Sequence, residues 1–331
     1  MSLRLRDLFG TENEMTFAVS GTGSAGMEAA FVNLLEPGDT AIVGVNGVFG
    51  TRMSDVARRL GARVVDVQAE WGQALDPGRL EEAHRRHPEA RLLAVVHAET
   101  STGVHQPLDD IADQLRGSDT LFVVDAVTSL AGVPVEVDRL GIDVCYSGTQ
   151  KCLGAIPGLA PITFSDWAME RIEGRREPVS SWYLDASLLS GYLGSERRYH
   201  HTPPINLLYG LHEALREVEE EGLDARFERH AEVGGRLQGE LAARGFRPFT
   251  DVDHRLPQLT AVYVPQGRDE GRLRQALLEE HEIEVGGGLG PASGRIWRVG
   301  LMGHGARHEC VDHLLEAVDE LFANDLNGGR G

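Results

Sequence analysis

The stretch SGTGSAG at residues 20–26 sets Gly21, Gly23 and Gly26 in the spacing G-x-G-x-x-G ahead of an apolar helical run. A turn of this kind offers free backbone amides and a helix dipole to a phosphate. A dinucleotide site would also need an Asp or Glu at the end of the next strand, to hold the ribose hydroxyls. That strand, AIVGV at 41–45, runs instead into Asn46 and Gly47. A nicotinamide dehydrogenase is therefore disfavoured. The loop is read as a phosphate cradle with Thr22, Gly23 and Ser24 as contacts, and a glycine-rich turn without a ligand is the plain alternative.

A second signal lies in the cations. Of 32 Lys and Arg residues only Lys151 is lysine. Arginine replaces lysine in most surface roles, but its guanidinium stays protonated and forms no Schiff base, which makes Lys151 a candidate for amine chemistry. The compositional alternative is that it is a chance remainder. In LFVVDAVTSL, Asp125 ends an apolar strand, where a carboxylate needs a cation to offset its burial or else serves as a turn residue. Lys151 follows 26 residues later, after the strand in YSGTQKCLGAIPG, which is about one strand-helix-strand connection and brings it to the same sheet edge. A lysine, a phosphate cradle and an acid for a pyridine nitrogen are what pyridoxal 5'-phosphate requires.

These residues must be held by a large α/β unit. Apolar runs at 41–45, 63–67, 91–96, 121–127 and 143–148 alternate with helical segments FGTRMSDVARRLG, DPGRLEEAHRRH and PLDDIADQLRG. The alternation predicts a doubly wound, mostly parallel sheet with its ligand at the carboxyl ends of the strands. Asp76 and Pro77 mark a helix start. From about residue 200 the helices lengthen, with Phe227, Ala231, Gly234, Leu237 and Leu241 as one apolar face. Strands are expected at 259–264, 283–285 and 295–299, beside VGGGLGP at 285–291. A closing helix carries Val311, Leu314, Leu315, Val318 and Leu321. The division is a large cofactor domain over 1–221 and a smaller α+β domain over 222–331.

A net charge of −19 argues against nucleic acid or an anionic membrane as partner. The apolar runs are too short to span a bilayer. The start, MSLRLRDLFGTENEM, has no secretory pattern, so a cytoplasmic enzyme is expected. Cys145, Cys152 and Cys310 form no metal or disulfide spacing and are expected to be reduced packing thiols. His97 and His105 are read as loop residues.

Together, SGTGSAGMEAAFVNLLEPGD, GVNGVFGTR, HAETSTGVHQPL, VVDAVTSLAG, GIDVCYSGTQKCLGAIPG, YHHTPP and VGGGLGPASGRIWRVGLMG resemble, in order and over nearly the whole chain, the class V, fold-type I aminotransferases of alanine-glyoxylate and serine-pyruvate type. The resemblance implies that Lys151 forms the Schiff base with the cofactor and then moves the substrate α-proton, while Asp125 pairs with the pyridine nitrogen. It implies that Thr22, Gly23, Ser24 and Gln150 hold the phosphate, with Tyr199 and Thr202 reaching it from a second subunit of a homodimer. Thr100 would lie near the ring hydroxyl and Val127 on one ring face. Phe49 stands where the family usually stacks a tryptophan. Arg298 matches the carboxylate clamp, a task that suits a guanidinium fork. His200 and His201 are expected to be structural.

The implied reaction is ping-pong transfer of an amine from alanine or serine to glyoxylate or pyruvate. A desulfurase-like lyase, an aminophosphonate donor and a non-catalytic subunit are the alternatives. Against the lyase, Gln150 rather than histidine precedes Lys151. The non-catalytic reading is motivated by the family's N-terminal arm, some tens of residues long, which this sequence lacks.

Overall fold

The computed structural model describes residues 1–194 and 197–328. Nine strands belong to its first half: β1 (Met15–Ser20), β2 (Thr40–Val45), β3 (Arg63–Gln68), β4 (Leu92–Val96), β5 (Ala98–Glu99), β6 (Val104–His105), β7 (Leu121–Asp125), β8 (Val144–Tyr146) and β9 (Leu159–Phe164). Seven form one sheet in the order β1-β9-β8-β7-β4-β2-β3, while β5 and β6 make a separate hairpin. β2, β3, β4, β7 and β8 run parallel, and β9 lies antiparallel between β8 and β1. The expected doubly wound sheet is present. β9 was not anticipated, because LAPITF has the same apolar texture as its parallel neighbours and nothing in it marks direction.

The continuous apolar runs are explained by burial on both faces. Ile42, Leu93, Val95, Phe122 and Val124 point into one core, which is closed by the helices Ser2–Phe9, Pro77–Arg86 and Ile205–Glu221. Ala41, Val43, Leu92, Ala94 and Val123 point into the other, beneath the helices Gly23–Leu34, Val48–Arg59 and Asp166–Glu173. Asp76 caps its helix as expected, accepting from the Gly78 amide at 2.9 Å.

A second sheet of β10 (Arg247–Pro248), β11 (Leu259–Tyr263), β12 (Gly286–Gly287) and β13 (Ile296–Gly300) is antiparallel throughout, in the order β10-β11-β13-β12. The helices Leu223–Ala243 and His308–Gly328 pack on it through Val233, Leu237, Leu241, Val311, Leu314, Leu315, Val318 and Leu321.

Three expectations are corrected here. The strand expected at 283–285 lies in the glycine run at Gly286–Gly287, where a Cβ on Gly286 would stand 3.3 Å from the Arg298 carbonyl oxygen; the bare backbone lets β12 approach β13. The inner face of the helix Leu223–Ala243 starts on Arg226 and His230, with Phe227 only half-buried and Ala231 exposed. Arg226 donates to the Cys152 carbonyl at 2.7 Å, and the His230 ring accepts from the Gly303 amide at 3.1 Å, so polar side chains win those positions by satisfying distant backbone. Cys145 and Cys152 are buried, but Cys310 is exposed at the start of the last helix and is no packing thiol.

Candidate active site

A cavity of about 160 Å³ opens at the carboxyl ends of β4 and β7. It gathers nine of the residues singled out in the sequence: Thr22, Gly23, Ser24, Phe49, Thr100, Asp125, Val127, Gln150 and Lys151. A larger cavity of about 480 Å³ lies between the helix Ser2–Phe9, β1 and residues 183–193 and 197–208; it is mostly apolar and holds neither Asp125 nor Lys151.

One wall is the start of the helix Gly23–Leu34. Thr22 is its N-cap but makes no side-chain cap, so the Gly23 and Ser24 amides are left without intrahelical partners. The glycines let this helix press on the strand ends: a Cβ on Gly23 would meet Val127 Cγ2 at 3.0 Å, and one on Gly26 would meet Ala160 Cβ at 3.1 Å. Gly23 and Gly26 are therefore packing glycines that bring a helix dipole to the cavity wall. Arg52, one turn into the helix Val48–Arg59, reaches across to donate to Ser24 Oγ at 3.2 Å, and its guanidinium carbon lies 4.9 Å from the Phe49 ring centroid. The sequence reading missed Arg52. Its signal was the i,i+3 spacing from Phe49, which puts both on one helix face.

The floor is set by β7. Asp125 is 2% exposed, and its Oδ1 accepts from the Val127 amide at 2.9 Å. Among the described residues no cation pairs with it. Burial drives its pKa up to about 7, with the Val127 amide and the Tyr146 hydroxyl opposing that rise and the nearby Glu99 adding to it. Burial likewise pushes the Tyr146 phenol well above its usual range, and the Asp125 charge adds to this. Lys151, in the loop after β8, is half-buried. Burial holds its amine below the usual range, as does the charge of Arg298, while Cys152 and Asp125 pull the other way. Beside it the Cys152 thiol is pushed up to about 12 by burial, which keeps it an inert neighbour.

A buried carboxyl without a cation, a desolvated lysine and a helix start with free amides fit a ring that offers a protonated nitrogen, an aldehyde and a phosphate. The donor set suits pyridoxal phosphate.

Opposite, β5 ends in Glu99, and Thr100 and Ser101 follow in the turn of its hairpin. Glu99 is fully buried; its Oε2 accepts from the Phe49 and Gly50 amides at 3.0 and 3.3 Å, and its Oε1 from the Ser101 amide and hydroxyl at 3.0 and 2.5 Å. Neither Glu99 nor Ser101 was singled out in the sequence, where HAETSTG reads as a polar loop. Arg298 on β13 is half-buried. It donates to the carbonyls of Gly287 at 2.7 Å and Thr100 at 3.2 Å, and no carboxylate lies within ion-pair distance among the described residues. Burial lowers its pKa.

Tyr199 and Thr202 are not brought into this cavity within one chain. Tyr199 is 77% exposed and its hydroxyl meets Thr202 Oγ1 at 3.1 Å. His200 stacks on Trp182 with ring centroids 4.1 Å apart. His97, buried just past β4, and His105, on β6, contact each other through their Nε2 atoms at 3.0 Å rather than lying in open loops.

The profile of the family Aminotransferase class-V matches residues 3–306. The alanine-glyoxylate aminotransferase of Callithrix jacchus is 43% identical over 95% of this chain and 77% of its own length. The (S)-ureidoglycine-glyoxylate transaminase of Bacillus subtilis is 37% identical over 96% of this chain and 80% of its own. Among solved structures, the alanine-glyoxylate aminotransferase of Nostoc sp. superposes with a TM-score of 0.95 at 47% identity, covering 97% of this chain and 85% of that one.

Proposed function

The chain belongs to the class V aminotransferases, enzymes of pyridoxal phosphate-dependent transamination, and on that premise we propose that it moves the amine of alanine or serine to glyoxylate or pyruvate. The observation that carries the reading is the meeting of Lys151, Asp125 and the helix start at Thr22–Ser24 in one cavity. Glyoxylate is the leading acceptor, because the Callithrix and Bacillus relatives both carry it in their names. The Bacillus relative favours (S)-ureidoglycine as the second donor to try.

When bound, pyridoxal phosphate supplies an aldehyde for amine exchange and a ring that takes up the electrons left by a departing α-proton. Lys151 Nζ would be the base that takes the proton from the substrate Cα and delivers it to the cofactor's C4' carbon, and partial burial keeps a larger share of its amine unprotonated near neutral pH. Asp125 would pair with the ring nitrogen and keep a proton there, an arrangement that would give its buried carboxyl a cation in direct contact. The Gly23 and Ser24 amides, Thr22 and Gln150 would hold the phosphate, Thr100 would meet the ring hydroxyl, and Phe49 and Val127 would pack the ring. Arg298 holds the substrate carboxylate with the guanidinium edge not already given to Gly287 and Thr100.

A homodimer completes this reading, with Tyr199 and Thr202 of one copy serving the phosphate of the other. Support comes from large apolar side chains left exposed on one stretch of chain, Trp182, Leu193, Tyr199, Ile205 and Tyr209. No described helix is long and apolar enough to cross a membrane. A cytoplasmic setting accords with three free thiols.

The test is an absorption spectrum of the loaded enzyme. A visible band that disappears with L-alanine or L-serine and returns with glyoxylate is expected, and it should be missing from Lys151→Ala. A band that no donor of the panel discharges, ureidoglycine included, would overturn the donor assignment.

A further inference from the structure

The helix Val48–Arg59 carries Phe49 at its second position, yet its N-cap is Gly47, which has no side chain to take up the first amides. All three leading amides are taken from outside the helix. The Val48 amide donates to Ser101 Oγ at 2.9 Å, while the Phe49 and Gly50 amides donate to Glu99 Oε2. Ser101 Oγ in turn donates to Glu99 Oε1, so one carboxylate and one hydroxyl replace the missing cap. Gly47 is needed for this: a Cβ there would stand 2.4 Å from both Glu99 Cδ and Ser101 Oγ.

Between Glu99 and Ser101 lies Thr100, which lines the cavity and whose carbonyl accepts from Arg298. The same short loop therefore grips the ring-stacking helix on one side and the arginine of the smaller sheet on the other. Glu99 is buried with no cation in ion-pair contact among the described residues, although Arg298 lies close enough to feel its charge. A buried carboxylate persists at such a position when backbone donors satisfy both of its oxygens.

We propose that Glu99 is a positioning residue that, with Ser101, sets the Phe49 ring against the cofactor and couples that stack to the Arg298 clamp. The inference rests on the pyridoxal phosphate reading above. Glutamine at 99 would turn one accepting oxygen into an NH2 facing N–H or O–H donors, so two of the four bonds are lost and their donors left unsatisfied.

The experiment compares wild type, Glu99→Gln, Phe49→Ala and the double variant by cofactor dissociation constant and by induced circular dichroism of the bound cofactor. Glu99→Gln is expected to weaken cofactor binding about tenfold and to shrink the induced signal. The double variant should be no weaker than the weaker single variant, because both changes act through one ring. In substrate titrations Glu99→Gln should raise the half-saturating amino acid concentration through Thr100 and Arg298. Ser101→Ala, which leaves the acid in place, should move every readout the same way by a smaller amount and serves if Glu99→Gln does not fold. Independent, multiplying losses in the double variant, or variants with the wild-type signal and affinity, would overturn the coupling. Wild type without a cofactor band overturns the cofactor reading itself and this inference with it; a wild-type band with independent losses overturns this inference alone.

Discussion

Lys151 is the chain's single lysine, which gives its chemistry an unusually clean test. Borohydride reduction of the protein with pyridoxal phosphate should attach one pyridoxyl group to the peptide containing Lys151, and Lys151→Ala should lose both the adduct and at least 1,000-fold of turnover, on the order expected for a nucleophile that is also the base. Mass spectrometry placing the adduct elsewhere would remove Lys151 from its role. Asp125 yields a pH prediction. Its native pKa of about 7 lies above that of an unfolded aspartate, so between pH 4 and 7 the native cofactor-free protein keeps a proton that the unfolded chain has released. Raising pH through this window therefore destabilises the fold, by up to about 1.4 kcal/mol per pH unit. Asp125→Asn carries no such proton. Urea denaturation should show the variant gaining on wild type as pH rises from 4 to 7, and a constant gap would mean that Asp125 ionises as an ordinary surface acid does.

At the scale of elements, the cavity depends on two helices lying closer to the sheet than side chains permit. The helix Val48–Arg59 crosses β2 at Gly50, where a Cβ would fall 2.7 Å from the Gly44 carbonyl oxygen and 2.9 Å from Val45 Cα. Gly50→Ala gains about 1 kcal/mol of helix propensity, but the obstacle is strand backbone and cannot turn aside. Overpacking of this kind costs about 1–3 kcal/mol, so the clash is expected to win. The variant should unfold at lower urea and bind cofactor less tightly, because Phe49 moves with the helix; an unchanged midpoint would show that the helix can shift without loss. Gly23 and Gly26 act similarly in the phosphate wall, where a Cβ would meet the Val127 γ-methyls and the Ala160 and Tyr146 Cβ atoms.

At the scale of the whole molecule, the two halves are tied by polar groups as well as by small apolar contacts, Ala98 packing with Leu256 and Leu259 and Trp71 against Ala261 and Ile296. Arg226 joins the Cys152 carbonyl to Glu221, Arg229 also reaches back to the Glu221 carboxylate, and Arg298 reaches Thr100. The loops flanking Lys151 and Thr100 are thus held by residues far along the chain. Tyr199 belongs to this scale as well. If a second copy supplies it, Tyr199→Phe should leave the sedimentation coefficient at the dimer value and weaken cofactor binding by about tenfold, the loss of a hydrogen bond to a charged group. A monomer in sedimentation, or unchanged affinity in the variant, would remove Tyr199 and Thr202 from the phosphate site.

The sequence by itself determined the strand-helix alternation, the positions of Asp125 and Lys151 at one sheet edge, and the helix start near Ser24, because each is written in local periodicity and in residues adjacent along the chain. Only the tertiary structure decided that β9 runs against its neighbours, that Arg226 and His230 face inward, and that Glu99 caps a helix 50 residues upstream. Those outcomes depend on hydrogen-bond partners distant in sequence. A backbone amide looking for an acceptor leaves no mark on hydrophobic pattern, so HAETSTG reads as a loop until the helix it holds is laid beside it.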